Sequence, residues 1–459
     1  MTQFALNNIR DDRAYDVVVV GGGPAGMTAA IAAAREGAQV AVVEQGNCLG
    51  GMATRGLVGP FMTCYDRKGE HMIIRGLFEE IVNRMVERGY AIHPAEVRAG
   101  TGFTSWIVLG HDHVTPFEHE GLKLVMDDMM EEAGVKVFFH TDFIEPIMEE
   151  NRIVGVLVSS KKGYEILRAK VVIDATGDGD VAVRAGVPYE KGNEELNLMQ
   201  PASMFFHICN CDEEAMNADI QANLHNFYRK DGVNYRSFHW RVTEAREAGD
   251  WNMKRVSLGL FRRPKSDEWF VYTSRVMGVD ATDNESLTMG EVEGRRQAEH
   301  ILKFLRKYVP GCENAKLMGT ASYLGIRESR HIKGDYRLTA DDLLSCKIPE
   351  DTILLAANSV DVHGRFGPTS NEYVAIEGDY YGVPYRSLIA YGVEGLLLAG
   401  RCVSADSTAA GAIRVMPPCM GMGQAAGTAA GLAVKGNITP RQVDAQELRE
   451  TLKKNGAYL

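Results

Sequence analysis

The sequence predicts an α/β fold in which a parallel sheet forms the main lobe and an α+β lobe is inserted into it. Residues 15–44 read as strand, glycine turn, helix and strand, the pattern of a parallel βαβ unit. The 459 residues are too many for one ordinary core. Composition shifts near residue 190, and near residue 336 the chain returns to the earlier pattern. These shifts predict a first lobe at 1–190, an insert at 191–335 and a return at 336–459.

The elements of the main lobe follow from local patterns. An apolar β-branched run at 16–20 predicts the first strand, an alanine-rich run at 27–35 its helix, and residues 40–43 the next strand. Further predicted elements are helices at 76–88 and 116–134, a strand at 135–139, a hairpin at 153–159 and 163–167, and strands at 170–174 and 396–399. Residues 417–434 and 444–454 are predicted as the closing helices.

The insert shows more charged helices and amphipathic strands. Its clearest element is a helix whose apolar residues fall on or near one stripe and which ends at Pro310. We find no internal repeat and no low-complexity linker.

Composition and charge restrict the possible partners. The formal net charge is −11 and no long basic run occurs, which disfavours nucleic acid. The eight cysteines are scattered without a C-x-x-C pair, so we expect reduced thiols and no metal site. No leader or membrane-spanning stretch is recognised, and we expect a cytoplasmic protein.

The first chemical motif is the glycine turn Gly21-x-Gly23-x-x-Gly26. It follows an apolar strand and precedes the helix predicted at 27–35, and Glu44 follows 18 positions after Gly26. This context is typical of a dinucleotide site, with the pyrophosphate on the helix N-terminus and the ribose on the carboxylate. An ordinary βαβ loop is the alternative. A second glycine turn after Glu44 suits a flavin, whose ribityl chain passes close to the backbone.

Two more motifs follow predicted strands. Residues 174–180 carry three aspartates after a buried strand, at the sheet edge where such folds bind ligands. A metal site is one interpretation, and side chains that cap backbone amides are the one we favour. Residues 417–434 form a helix of very small residues that would let a backbone or a flat ring pack closely. Tight helix packing alone is the alternative.

With these blocks, the chain resembles FAD-dependent oxidoreductases related to the succinate dehydrogenase and fumarate reductase flavoproteins and, more distantly, to glutathione reductase. Residues 324–330, 383–388 and 399–404 extend the resemblance along nearly the whole chain. It implies a three-layer, glutathione-reductase-like Rossmann domain with an inserted cap, and non-covalent FAD. The residues that it places around FAD are Gly21, Gly23, Pro24, Ala25, Gly26, Glu44, Gln45, Gly51, Met52, Ala53, Thr54, Phe143, Ala175, Thr176, Gly177, Gly400, Arg401, Arg414, Gly421 and Gln424.

Departures from that pattern narrow the chemistry. Cys48 lacks the closely spaced partner of disulfide reductases, so redox-disulfide chemistry is not expected. No second glycine fingerprint indicates a separate NAD(P)H domain. Cys402 and Cys419 are expected near the flavin as inert packing residues.

Candidate catalytic residues are Arg327, His363, Arg365 and Tyr381. Arg327 stands where the insert rejoins the main lobe and could hold a substrate carboxylate, although an Arg–Glu structural pair is the alternative. His363 could give or take the proton that accompanies hydride transfer, although a lone histidine is more often a surface or core residue. Arg365 and Tyr381 lie in or near the same segment.

The sequence thus predicts an enzyme in which FAD exchanges hydride with a small organic substrate. Alternatives are an electron-transfer flavoprotein subunit with a partner protein and a non-redox flavin-dependent isomerase or hydratase. A tRNA-modifying flavoprotein is disfavoured by the acidic balance. The substrate, the reaction direction, the use of NAD(P)H and a homo-oligomeric state are left open.

Overall fold

The computed structural model describes residues 9–108, 110–230, 233–264, 267–364 and 372–459. In chain order, its strands are β1 (Arg10–Val20), β2 (Val40–Val43), β3 (Lys136–Phe138), β4 (Asp142–Glu149), β5 (Arg152–Ser160), β6 (Gly163–Asp174), β7 (Tyr189–Lys191), β8 (Phe206–Cys209), β9 (Tyr228–Lys230), β10 (Val233–Tyr235), β11 (Leu260–Arg262), β12 (Trp269–Val271), β13 (Lys316–Thr320), β14 (Arg330–Ile332), β15 (Thr352–Ala356), β16 (Val360–Val362), β17 (Glu372–Val374), β18 (Tyr381–Pro384) and β19 (Leu396–Leu398).

The α-helices vary in length from one turn to 25 residues. They are α1 (Pro24–Arg35), α2 (Leu77–Glu87), α3 (His119–Glu132), α4 (Asp180–Arg184), α5 (Glu213–Ala222), α6 (His239–Glu247), α7 (Asn284–Tyr308), α8 (Ala340–Leu344), α9 (Ser407–Ile413), α10 (Met416–Gly436) and α11 (Ala445–Lys454). Within the described ranges, no helix is long and apolar enough to cross a membrane.

The main sheet has seven strands. Strands β3, β2, β1 and β6 lie side by side in parallel, and β5 and β4 continue the sheet in antiparallel orientation. Strand β19 pairs in parallel with the last residues of β6. The centre is buried on both faces, which explains the unbroken valine run at Val17–Val20. The predicted α/β class with a parallel sheet is confirmed.

The local predictions are confirmed with one correction. The two predicted closing helices and the predicted strand at 40–43 correspond to α10, α11 and β2. The strands expected at 163–167 and 170–174, however, are one strand, β6. Its first half pairs with β5 and its last three residues pair with β19, so one edge of β6 has two successive partners. Only its last four residues are buried without interruption.

A second hydrophobic core lies in the part of the chain predicted as the insert. Strands β11, β12, β8 and β13 form an antiparallel sheet there, and apolar residues of α5, α6 and α7 share its core. Trp106 joins this core from the first part of the chain, since its ring stacks on Trp269 and its Nε1 donates to Asn217. Strands β7 and β14 pair with each other where the chain enters and leaves this part. The exact boundaries, at 190 and 335, stay a prediction.

Helix α10 packs against α1 with almost no space between the backbones. A Cβ atom at Gly423 would lie 2.1 Å from the carbonyl oxygen of Ala25, and one at Gly427 would lie 2.1 Å from that of Ala29. The Thr28 hydroxyl donates to the Met420 carbonyl at 2.8 Å. The small residues of α10 therefore serve close helix packing, which holds α1 in place against the sheet.

We expect the substitution Gly427→Ala to destabilise the fold by about 2–3 kcal/mol, because the added methyl group meets a backbone carbonyl that cannot rotate away. Urea unfolding followed by circular dichroism measures this change. Gly436→Ala is the matched control at the end of the same helix, where the nearest atom to a new Cβ is 3.4 Å away. The free energy of unfolding of the control should change by less than about 1 kcal/mol. Equal losses in the two variants would contradict the packing argument.

Candidate active site

The glycine turn after β1 leaves open space above the N-terminus of α1. Gly21 has a φ of +97°, and a Cβ there would lie 2.5 Å from the Ala175 carbonyl oxygen. A Cβ at Gly26 would lie 1.8 Å from the Gly21 carbonyl oxygen, so the helix touches the strand end. At Gly23, by contrast, no described atom lies within 4 Å of the Cβ position. The free amides and partial positive charge of α1 therefore face a space that can accept an anion.

Three other turns surround the space at Gly23. A Cβ at Gly51 would lie 2.9 Å from the Gly23 Cα, and one at Gly400 would lie 2.9 Å from the Ala25 Cβ. The turn at Ala175 and Thr176, after β6, touches Gly21. We name this arrangement the cradle, defined by 21–26, 51–54, 175–177 and 400–401. Short strands and turns from four distant parts of the sequence thus converge on one helix end.

Glu44 lies beside the cradle at the end of β2. Its carboxylate accepts hydrogen bonds from the amides of Gly22 at 2.8 Å and Gly46 at 2.6 Å. Arg55 approaches the same carboxylate at 3.6 Å, and its guanidinium lies 3.7 Å from the centre of the Tyr323 ring. Among the described residues, the buried Nη1 of Arg55 has no hydrogen-bond partner. A polar group of a ligand at this position would satisfy it.

The aspartates at 174–180 serve the protein itself. Asp174 accepts hydrogen bonds from the amides of Thr176 at 3.1 Å and Ala182 at 2.9 Å. Asp178 pairs with Arg401 at 2.9 Å, which fixes the arginine beside Gly177. No group of three or more potential metal ligands occurs in the described part of the chain. The capping interpretation is therefore confirmed for Asp174.

The remaining cradle residues occupy different positions. Residues 51–53 form a short 3₁₀ turn, and the buried Thr54 hydroxyl donates to the Leu49 carbonyl at 2.6 Å. Gln45 is exposed, and Phe143 lies in β4. The expected contacts of Gln45 and Phe143 with a cofactor stay predictions.

A cavity of about 740 Å³ opens next to the cradle. On the cradle side it is lined by Met52, Gly411 and Met416, and on the other side by aromatic residues of the predicted insert, such as Phe261 and Tyr272. Ligand sites commonly lie at such junctions between lobes. A molecule in this cavity would lie between the cradle and the predicted insert.

Arginines dominate the polar part of the cavity wall. Seven described arginines line the cavity, of which Arg67 and Arg229 donate to the carbonyls of Glu377 and Tyr373. We define the arginine cluster as the other five: Arg236, Arg255, Arg275, Arg327 and Arg414. The Nη1 atom of Arg327 donates to the Pro201 carbonyl at 2.7 Å and to the Ser203 hydroxyl at 2.9 Å. Burial lowers the pKa of Arg327 and of Arg255 to about 9, and repulsion from neighbouring arginines adds to this effect. Both side chains therefore remain charged at neutral pH.

His363 lies in the cavity between the carboxylate of Asp361 and the guanidinium group of Arg275. Its Nε2 is 3.2 Å from a carboxylate oxygen of Asp361, and an Nη2–H of Arg275 donates to its Nδ1 at 2.9 Å. Nδ1 therefore acts as an acceptor, which puts the ring proton on Nε2. Burial lowers the pKa of His363 well below its usual range. The positive charges of Arg327 and Arg275 lower this pKa further, and the negative charge of Asp361 raises it, but not enough to cancel the effect of burial. The imidazole is neutral at pH 7.

Arg414 lies in the cavity wall beside Asp361 and Gln200. Its Nη2 donates to the Asp361 carbonyl at 3.0 Å and contacts the Gln200 side chain at 3.4 Å. The Gln200 side chain also accepts the His363 backbone amide at 3.0 Å. Two predicted residues, Arg414 and His363, are thus held together by one glutamine that the sequence did not single out.

Three of the predicted site residues have other roles in the structure. Tyr381 is fully buried in β18, its hydroxyl donates to the Asn358 carbonyl at 3.2 Å, and it does not line the cavity. The Gln424 side chain accepts the Leu77 amide at 2.8 Å and thereby caps α2. A Cβ at Gly421 would lie 2.6 Å from Leu354, so this glycine faces β15. These contacts argue against catalysis by Tyr381 and against cofactor contacts for Gly421 and Gln424.

Arg365, a predicted catalytic residue, lies outside the described residues.

Other cavity residues were not predicted from the sequence. Arg236, Arg255 and Arg275 come from three separate segments of the predicted insert, and no spacing or motif connects them. Asp361 stands two positions before His363 in the sequence, which gave it no role of its own. Only the three-dimensional fold brings these charged side chains to one cavity.

Comparison with known proteins gives both long and short matches. A stretch of 197 residues is 32% identical to thiamine thiazole synthase of Aeropyrum pernix and covers 40% of this chain and 62% of that protein. The chain thus spans about six-tenths of the length of that relative. A stretch of 40 residues is 58% identical to soluble pyridine nucleotide transhydrogenase of Mycobacterium tuberculosis, over 9% of this chain and 8% of that protein.

Solved structures align over most of the chain at low identity. A geranylgeranyl bacteriochlorophyll reductase-like protein from Thermoplasma acidophilum has 14% identity and a TM-score of 0.47, over 97% of this chain and 84% of that one. The p-nitrophenol 4-monooxygenase of Pseudomonas putida has 14% identity and a TM-score of 0.44, over 97% and 81%.

The family model described as FAD dependent oxidoreductase matches residues 16–452. This range begins with the strand before the glycine turn and ends within α11, so it includes the whole cradle and the whole cavity. FAD is therefore the cofactor, as the sequence predicted. The chain belongs to the family of FAD-dependent oxidoreductases.

Proposed function

We propose that this protein oxidises or reduces a small organic anion that binds in the cavity beside the cradle. The observation that supports this proposal is that one cavity borders the cradle on one side and contains the arginine cluster on the other. Arginine side chains suit carboxylate and phosphate groups, which they bind through paired hydrogen bonds. The family match identifies the cofactor, and this proposal adds the chemical class of the substrate.

The cradle residues fit FAD. The open space at Gly23 and the free amides of α1 would accept its diphosphate, Glu44 its adenosine ribose, and Met52 and Arg414 would lie at its ring end. The unpartnered Nη1 of Arg55 offers one more donor beside Glu44. When bound, FAD supplies hydride exchange at its isoalloxazine ring.

The chain's own residues bind the substrate and handle the proton. Arg327, fixed by Pro201 and Ser203, is a rigid donor for a substrate carboxylate. His363 carries its proton on Nε2 toward Asp361, and the one lone pair of its Nδ1 accepts a hydrogen bond from Arg275. Nδ1 can take a proton only after Arg275 has turned away from it to an anionic substrate, and an anion bound nearby would also raise the pKa of His363. On that condition we assign His363 the role of proton acceptor in substrate oxidation.

An electron-transfer subunit remains the alternative function. Such a protein needs a route for electrons to a partner but no substrate cavity beside its cofactor. The cavity and its arginine cluster favour an enzyme that binds its own substrate.

The proposal is tested by anaerobic titration of the purified yellow protein with a panel of small organic acids and their neutral amides. At least one acid should bleach the flavin band, and its amide should not, because the amide cannot bind the arginines. Arg327→Gln should weaken the response at least tenfold, since it removes a charged hydrogen bond of about 1.5–3 kcal/mol. Bleaching by amides as readily as by acids, or reduction only by a partner protein, would overturn the proposal.

Gly23→Val should abolish FAD binding while the fold persists. The new side chain enters space where no described atom lies within 4 Å, and the φ of −70° at Gly23 is acceptable to valine. The visible spectrum of the purified variant measures bound FAD, and thermal unfolding of the cofactor-free protein measures the fold. Gly436→Ala serves as the control that should keep FAD. If Gly23→Val retains a full complement of FAD, the cradle is not the cofactor site.

The neutral state of His363 predicts a pH dependence of stability. The pKa of His363 is lower in the folded chain than the ordinary value of 6.5 that it regains on unfolding. The folded state therefore gains stability from this residue above pH 6.5 and loses it as the pH falls below that value. Chemical denaturation at pH 7.5 and pH 5 should show a larger loss for the native protein than for His363→Asn. Equal losses would show that His363 titrates normally.

A further inference from the structure

The charges on the cavity wall do not balance. The family resemblance places Arg414 at FAD, which leaves Arg236, Arg255, Arg275 and Arg327 of the cluster for a substrate. Asp361 is the only carboxylate in contact with His363 among the described residues, and His363 is neutral. Two more described carboxylates line the cavity, Asp66 and Asp112, and they contact the His71 ring at 3.0 Å and the Ala99 amide at 2.7 Å. Asp361 is thus the carboxylate that these four guanidinium groups share.

The described structure gives three of these arginines no ionic partner. Arg236, Arg255 and Arg327 form no ion pair within 4 Å of a described carboxylate. Arg255 donates instead to the Ser257 carbonyl at 3.2 Å, and Arg327 to Pro201 and Ser203. Carbonyl and hydroxyl groups supply hydrogen bonds but no negative charge. Charged groups held away from bulk water are normally paired with opposite charges.

These cationic groups come from different parts of the cavity wall. Arg236 directly precedes the turn into α6, Arg255 lies in the loop before β11, and Arg327 lies just before β14. A Cβ at Gly325 would lie 2.4 Å from the Phe205 ring, so the segment that carries Arg327 is packed tightly and cannot swing toward the others. Separate anchors suit negative groups on different atoms of one molecule better than a single phosphate. The cavity, at about 740 Å³, has room for such a molecule.

We propose that the substrate is a small organic acid with three negative charges on separate groups, held by Arg236, Arg255 and Arg327. This inference rests on the proposed function and names its substrate class. The negative groups are carboxylates or phosphates, since the guanidinium fork binds both. A monoanion or dianion would leave at least one of these arginines uncompensated.

The test measures binding by isothermal titration calorimetry with the FAD-loaded protein and non-reacting acids. Propane-1,2,3-tricarboxylate, glutarate and butyrate carry three, two and one carboxylate on chains of similar size. The dissociation constant should rise about tenfold with each carboxylate removed, the effect of one charged hydrogen bond of about 1.4 kcal/mol. Equal affinities for the three acids, or no binding of the tricarboxylate, would overturn the proposal. 2-Phosphoglycerate, whose negative charges lie on one carboxylate and one phosphate, should bind less tightly than the tricarboxylate, and tighter binding would contradict three separate negative groups.

Variants connect the affinity to the named arginines. Arg255→Gln and Arg236→Gln should each weaken tricarboxylate binding at least tenfold and butyrate binding less, with FAD content unchanged. Arg262→Gln is the matched control in the same region, because Arg262 pairs with Glu213 and does not line the cavity. Arg255→Lys keeps the charge and should bind the tricarboxylate better than Arg255→Gln. If neither cavity variant differs from the control, the arginines do not hold the ligand.

The two proposals fail in different ways. If tricarboxylate binds in the calorimeter but no organic acid reduces the flavin, the binding site stands and the proposed oxidation does not. If an acid with a single charge bleaches the flavin and the three probes bind equally, the oxidoreductase function stands and the trianion does not.

Discussion

The close contact of α1 with the end of β1 and with α10 is the constraint on which the rest of the structure depends. At Gly26, Gly423 and Gly427, the atom that a side chain would meet is a backbone carbonyl oxygen. A backbone group cannot move aside as a flexible side chain does, so α1 has one position relative to the sheet. Its N-terminal amides consequently point at the space beside Gly23, and the turns at Gly51 and Gly400 close around that space.

Two kinds of positive charge then serve two ligands. The N-terminus of α1 presents partial charges that are fixed by the backbone and suit the diphosphate of the cofactor. The cavity presents the full charges of long side chains, which come mainly from the region predicted as the insert. Because the second set depends on side chains alone, it can differ between proteins that share the cradle. Family membership therefore specifies the cofactor and leaves the substrate to the cavity wall.

The parts that the sequence predicts well are those with local signals. The glycine spacing, the valine runs and Glu44 are each readable within about 30 residues, and they specify the sheet and the cradle. Helix α10 shows the limit of predictions that are made from local sequence patterns. Its small residues surround the helix on all sides, so no apolar stripe distinguishes Gly421 and Gln424, which face β15 and α2, from Gly423, which faces α1. Arg236, Arg255 and Arg275 have no local signal at all, because tertiary folding alone brings them together.

The arginine cluster also relates folding to ligand binding. Burial and mutual repulsion lower the pKa of Arg255 and Arg327, which means that the folded chain holds these charges at a cost in free energy. Uncharged side chains at the same positions would remove that cost, so the cluster is not explained by stability. Its cost is offset when negative charge enters the cavity, and the binding of an anion must then stabilise the fold by an amount that its concentration and affinity set. A cavity that is unfavourable when it is empty of anions and favourable when it holds them is the property expected of a binding site for a highly charged substrate.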